Sequence, residues 1–156
     1  MKKILLLFLI SVSLFANERV KKIAEFQYPN DAKMQKFEYN KQLKAYNFMI
    51  NNAKDQEVKT NVEFQYPNDY SMQKFTYEKE VSAKNYMKTV NDQEIKNMAT
   101  SKYANDYSMQ KYTYDNQLAA KNYMQSLDDS NIKRTAKRRY PDDYSMQKYY
   151  YDNNSF

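Results

Sequence analysis

The chain has 156 residues with 25 Lys plus Arg against 19 Asp plus Glu, a net charge of +6, and it contains no Gly, Cys, His or Trp beside 17 Tyr. The missing Cys and His remove disulfides, thiol chemistry and Ser–His nucleophilic catalysis, and the missing Gly removes glycine-rich phosphate loops and nucleotide fingerprints. The composition therefore points to a non-enzymatic protein with no cofactor, stabilised by packing alone.

The first sixteen residues have the build of a secretory signal. Lys2 and Lys3 supply a positive start, residues 4–15 are apolar apart from Ser11 and Ser13, and Ala16 is small enough for a cleavage position. Twelve residues as a helix reach about 18 Å, short of a bilayer core of about 30 Å. Export to the periplasm or beyond is expected, with cleavage after Ala16 leaving Asn17 first. Retention as an uncleaved anchor or as a buried N-terminal helix is the alternative. Without Lys2 and Lys3 the chain keeps 23 basic against 19 acidic side chains, a net charge of +4.

A twelve-residue phrase then recurs four times: YPNDAKMQKFEY from Tyr28, YPNDYSMQKFTY from Tyr66, YANDYSMQKYTY from Tyr103 and YPDDYSMQKYYY from Tyr140, at offsets of 38, 37 and 37. Periods of this length mark stacked supersecondary units that bury their apolar faces on one another. An all-α fold is expected: a single domain over 17–156 of tandem 37–38-residue helical-hairpin repeats. Its units are 17–54, 55–91, 92–128 and a shortened 129–156, each alternating a short and a long helix.

The short helix carries apolar positions at i, i+4 and i+8: Val20, Ala24, Tyr28; Val58, Val62, Tyr66; Ile95, Ala99, Tyr103; Ile132, Ala136, Tyr140. Asn17 stands near the start of the first copy, and Asp55, Asp92 and Asp129 stand ahead of the others as caps. Tyr-Pro ends the short helix, because proline holds its predecessor extended and has no N–H to donate. Asn30-Asp31 and Asn68-Asp69 can then cap the following helix. Ala104 replaces the proline in the third copy, where Asn105 and Asp106 are expected to preserve the turn.

The long helix is expected over residues 69–90 and their equivalents. At 100° per residue, Met72, Phe75, Ala83, Tyr86, Met87 and Val90 share one face, and Tyr70, Tyr77 and Val81 the opposite one. Lys41, Lys79 and Asn116 interrupt the stripe. Either the helix is continuous, or it breaks near Tyr77-Glu78 and Tyr114-Asp115.

Few residues invite chemistry. The acid pairs Asp128-Asp129 and Asp142-Asp143 read as helix caps. Thioethers suit Cu(I), but Met34 and Met49, Met72 and Met87, and Met109 and Met124 lie fifteen residues apart, about 22 Å along a helix, too far to share an ion. They read as core filler, and no metal is expected. The tyrosines read mainly as core. Tyr149, Tyr150 and Tyr151 cannot all face one core, so at least one should be exposed. Lys133, Arg134, Lys137, Arg138 and Arg139 form a basic run. The first four are expected on the side of the last short helix away from Ile132, Ala136 and Tyr140.

Residues 119–149 resemble the repeat of the Ltp-type host cell surface-exposed lipoproteins. In that repeat a helix ending in Ala-Lys-x-Tyr-Leu leads to a short helix, an aromatic turn and a helix rich in Tyr and Ala. Ala120-Lys121-Asn122-Tyr123-Met124, residues 129–132 and residues 140–149 stand in matching order. The chain departs from the pattern in its shorter period, its lack of an anchoring Cys, and Tyr-Pro where the family has Gly. The resemblance implies helix-turn-helix-like units outside the cytoplasmic membrane. For some members it also implies blocking of phage DNA entry, and so superinfection exclusion.

The functional expectation is a periplasmic protein-interaction module. The alternative is a binder of nucleic acid or acidic cell-surface polysaccharide. Its candidate surface comprises Lys133, Arg134, Lys137, Arg138, Arg139, Tyr149, Tyr150 and Tyr151.

Overall fold

Each copy of the phrase is a device for ending one helix and starting the next, and its polar residues do most of that work. In the computed structural model, which describes residues 18–155, the described residues form eight helices and no strand. They are α1 (18–27), α2 (Ala32–Asn51), α3 (Gln56–Gln65), α4 (Tyr70–Thr89), α5 (Gln93–Lys102), α6 (Tyr107–Ser126), α7 (Asn131–Arg139) and α8 (Tyr144–Asp152). The expected signal segment and its cleavage position lie outside the described residues. Among the described residues no helix is long and apolar enough to cross a membrane.

The turn recurs with the same bonds. The Tyr that opens the phrase closes the short helix, its N–H donating to the carbonyl four residues back: Tyr28 to Ala24, Tyr66 to Val62, Tyr103 to Ala99, Tyr140 to Ala136, at 3.0–3.1 Å. The fourth-position Asp donates its N–H to that Tyr carbonyl at 3.2–3.3 Å. Its carboxylate then caps the long helix by accepting from the Met amide three residues on. The eighth-position Gln reaches back with its amide to the same Tyr carbonyl, at 2.6–2.7 Å from Gln35, Gln73, Gln110 and Gln147. Orphan groups at both helix ends are thus satisfied within twelve residues. Ala104 leaves the turn intact, as expected: Tyr103 has φ −133° and ψ 60°, beside −128° and 62° for Tyr66 before its proline. No described residue has a positive φ, so these turns need no glycine.

The long helices α2, α4 and α6 are continuous over 20 residues, which settles the alternative of a mid-helix break. Their buried face differs from the expected one. On α4 it comprises Tyr70, Gln73, Tyr77, Ala83 and Met87, while Met72 and Phe75 are exposed. On α2 it comprises Glu38, Gln42, Ala45 and Met49. Lys41, Lys79 and Asn116 are simply exposed. The core stripe includes hydrogen-bonded glutamines, so a count of apolar residues rotates the face. The methionines divide accordingly: Met49, Met87 and Met124 are buried, but Met72 and Met146 are not core filler.

The chain separates into two compact units, with the boundary between Lys79 and Glu80 inside α4. In the first, Val20, Ala45 and Tyr70 form a buried cluster with Ile23, Tyr39, Leu43 and Tyr46 around it. In the second, Met87, Ile95, Ala99 and Tyr114 form another, with Tyr86, Val90, Leu118 and Tyr144 packed on it. There α6 packs on α5 and α8, and α7 on α8.

The last short helix departs from expectation. Ser130, not Asp129, is the N-cap of α7, accepting from the Lys133 amide at 3.1 Å. Helix α7 has nine residues where α3 and α5 have ten. With the later start, Lys133 takes the buried place beside Ala136, and Ile132 is only half-buried. The Lys133 ammonium is satisfied by the Leu127 carbonyl, while its stem lies in the core.

Candidate interaction surface

Side chains from the middle of each long helix secure the next one. In the first unit Gln42 donates to Asp69 Oδ1 at 2.9 Å and accepts from the Ser71 amide at 3.1 Å. In the second, the Glu80 carboxylate accepts from the Tyr107 amide at 2.7 Å and from Ser108. Gln117 donates to Asp143 Oδ1 at 2.8 Å and accepts from the Ser145 amide at 3.2 Å. Tyr77 and Tyr114, at the twelfth position, accept from the amides of Asp55 and Asp92. The inner positions of the phrase are therefore occupied by structure.

A second recurring group lies further along. An aromatic ring meets a lysine and a carboxylate from the next long helix. In the first unit these are Phe48, Lys74 and Glu78. The ammonium stands 5.0 Å from the ring centroid and 3.7 Å from the carboxylate. In the second they are Tyr86, Lys111 and Asp115, and Tyr123, Lys148 and Asp152, with each ammonium 4.4 Å from its ring centroid. Here both tyrosines donate to the carboxylate. The bond to Asp115 pushes the Tyr86 phenol up to about 12, since ionisation would place two negative oxygens together. Each ring also meets a twelfth-position Tyr edge-on, at 6.1–6.5 Å.

Lys121 is engaged by two carboxylates and a ring. It bonds Asp92 at 2.8 Å and Glu94 at 3.2 Å, and its ammonium lies 5.0 Å from the Tyr144 ring centroid. The bond to Asp92 holds the Lys121 ammonium above the ordinary lysine range, against burial. The bond from Lys121, aided by the Ile95 amide, holds the Asp92 carboxyl below its ordinary value. Tyr144 donates to Glu94, and burial first, then that bond, raises its phenol.

The eight residues singled out from the sequence do not form one surface. Lys133 is buried. Arg134 is held by Asp129 and by Asn131. Lys137 and Arg138 are exposed, and the exposed Arg139 guanidinium lies 5.1 Å from the Tyr150 ring centroid. Tyr151 is half-buried against Tyr123, and Tyr150 is half-buried against Tyr140 at 6.3 Å. Tyr149 alone of the three tyrosines is largely exposed, at 62%.

Tyr149 belongs to a set that the sequence reading missed. The tenth position of the phrase is aromatic in every copy, and every ring faces solvent: Phe37 60%, Phe75 63%, Tyr112 62% and Tyr149 62% exposed. In the first unit Phe26 and Phe64, on the outer side of α1 and α3, are 87% exposed. The signal was available. Once the buried stripe is anchored on the eighth-position Gln, the tenth position falls about 200° away, on the opposite side.

No protein-family model, curated protein or solved structure matches this chain.

Proposed function

We propose that this chain is an exported, periplasmic protein-interaction module, built as tandem helical-hairpin units that present aromatic rings to a partner protein. It performs no catalysis. The observation that carries the reading is the outward aromatic ring at the tenth position of all four copies. Burial does not require these rings, and solvated aromatics contribute to a surface chiefly when a partner covers them, since Tyr and Phe are favoured interface residues. Exposed Met72 and Met146, three residues before Phe75 and Tyr149, add adaptable apolar area on the same helices.

The reading is tested by immobilising the protein and passing periplasmic extract over it at low and at moderate salt. A partner protein is expected to be retained at both, and to be lost when Phe37, Phe75, Tyr112 and Tyr149 are all changed to Ser. Equal recovery by that variant overturns the reading.

Exposed Lys137 and Arg138, with Arg139 beside the Tyr150 ring, support a second reading, a contact with nucleic acid or acidic polysaccharide. It predicts retention of the polyanion that collapses between low and moderate salt and depends on those three basic residues rather than on the four rings.

A further inference from the structure

In the first unit the outward rings at the tenth position have lysines around them. Phe37 on α2 has Lys33 four residues before it, Lys41 four residues after it and Lys44 seven residues after it, spacings that share one face of a helix. All four side chains are exposed. The groove between α2 and α4, of about 290 Å³, is lined in part by Lys41, Lys44, Lys74, Phe75 and Glu78. Lys41 and Lys44 therefore stand beside both rings, Phe37 along their own helix and Phe75 across the groove.

The charge of these lysines is only partly answered. Buried Glu38 accepts from Lys41 at 2.9 Å. Glu78 pairs with Lys74 at 3.7 Å, and the Lys74 ammonium also stands over the Phe48 ring. Among the described residues, Lys33 and Lys44 pair with no carboxylate. The second unit differs at the same positions. Tyr112 and Tyr149 have Ser108 and Ser145 four residues before them and Asn116 and Asn153 four residues after, and Ala119 stands where the first unit has Lys44.

We infer that this face of the first unit takes a short acidic segment of a partner protein, with carboxylates at Lys33 and Lys44 and an apolar side chain laid between Phe37 and Phe75. Lys33 and Lys44 lie eleven residues apart on α2, about 16 Å along the helix. An extended segment covers that distance in about five residues, so acids at its two ends meet both lysines while the residue between them reaches the rings. A short segment fits better than a broad anionic surface. Residues 18–79 carry eleven basic and nine acidic side chains, so the unit exerts little long-range attraction on a membrane or a polyanion, and the match is local. The inference rests on the reading of the chain as an interaction module that uses its outward rings, and adds the chemistry of the partner.

A ribosome-displayed library of random twelve-residue peptides is selected on the immobilised full chain, and the enriched peptides are titrated with the chain by fluorescence anisotropy. Peptides with two acids about five residues apart around an apolar residue are expected. Lys33→Gln with Lys44→Gln should weaken their binding about fivefold or more. Changing the two acids of the peptide to lysines should abolish binding to the wild type and restore it to the variant Lys33→Glu with Lys44→Glu. Circular dichroism checks that each variant stays helical. No enrichment, enrichment of peptides without acids, or equal affinity of the Gln variant overturns the proposal. Pelleting of the chain with phosphatidylglycerol vesicles that is lost in the Gln variant makes an anionic membrane the occupant and overturns it too. Phe37→Ser with Phe75→Ser separates this inference from the reading it rests on, and should lose the peptide. If it does while the Gln variant binds equally, the ring reading stands and this proposal falls; if it binds as the wild type does, the ring reading falls with it.

Discussion

In the first unit the most solvated apolar side chains are phenylalanines: Phe26 and Phe64 on the short helices, Phe37 and Phe75 on the long ones. In the second unit the corresponding positions carry Ser101 and Arg138 on the short helices and Tyr112 and Tyr149 on the long ones. Net charge does not distinguish the units: residues 18–79 hold eleven basic and nine acidic side chains, residues 80–155 twelve and ten. The inner positions barely change. Gln73 in the first unit and Gln110 and Gln147 in the second are all buried, and each bonds the tyrosine carbonyl seven residues back. A buried amide has few acceptable replacements, because each would strand a polar group or leave a void. An outward ring has many. The units therefore have interiors of the same kind and differ in the side chains they expose.

The largest effects should come from those interiors. Met49→Ala in the first unit and Ile95→Ala in the second each remove a fully buried side chain. Each should cost about 2–5 kcal/mol in denaturant unfolding. Hydrogen exchange should show protection falling most within the unit that carries the change. An even loss across residues 18–155 would break the division into two units.

Next come the polar links between long helices. Gln117→Ala strands the Ser145 amide and takes from Asp143 its side-chain donor, leaving only the Met146 amide, and should cost about 1–3 kcal/mol. Gln42→Ala in the first unit should cost a similar amount, since it strands the Ser71 amide in the same way. Glu80→Gln keeps one acceptor oxygen and matches the residue type of the other two links, so it should cost less than either alanine change. Urea midpoints rank the three variants. A Glu80→Gln cost as large as that of Gln117→Ala would show that the second unit depends on the charge itself.

The parts of this design legible in the sequence were those that depend on local backbone chemistry. The helical segments, the Tyr-Pro turn and its persistence through Ala104 all follow from caps and breakers that act within a few residues. The orientation of the long helices was not legible from apolar counting. Gln73 and Gln42 read as surface residues until their partners, supplied by the turn and by another helix, are known. The placement of Lys133 differs for a related reason. Asp129 and Ser130 are both able to cap, and the choice of Ser130 carries Lys133 from the outer face into the core. A difference of one residue decides it, and only the surrounding packing makes the choice.

A smaller effect distinguishes the units at high pH. The ring beside Lys74 and Glu78 in the first unit is Phe48, which has no proton to lose, whereas its counterpart is Tyr86, pushed up to about 12 by its bond to Asp115. An unfolded tyrosine titrates near about 10. Because the folded value is raised, this contribution to stability is fully present below the unfolded value and is lost as pH rises through the folded one. Tyr86→Phe should therefore flatten part of the fall in stability between about pH 10 and 12, at the cost of one hydrogen bond at neutral pH. Phe48→Tyr should steepen the same fall if Glu78 accepts its hydroxyl. Thermal melts across that range measure both. An unchanged alkaline slope in Tyr86→Phe would remove this hydrogen bond from the account.

The smallest effect on stability should come from exchanging the outer rings. Phe37→Tyr with Phe75→Tyr gives the first unit the tenth-position ring of the second, and Tyr112→Phe with Tyr149→Phe does the reverse. All four rings are exposed and none forms part of the clusters around Val20 or Ile95, so each exchange should move unfolding by no more than about 0.5 kcal/mol. Retention of a partner should respond differently. If one unit makes the contact, only the exchange in that unit alters recovery from periplasmic extract, because a phenol can bond at an interface rim where a phenyl ring cannot. If both contribute, each exchange alters it in part. A loss of stability well above the expected limit would mean that these rings belong to the interior, and the contrast between a constant inside and a variable outside would fail at the position that defines it.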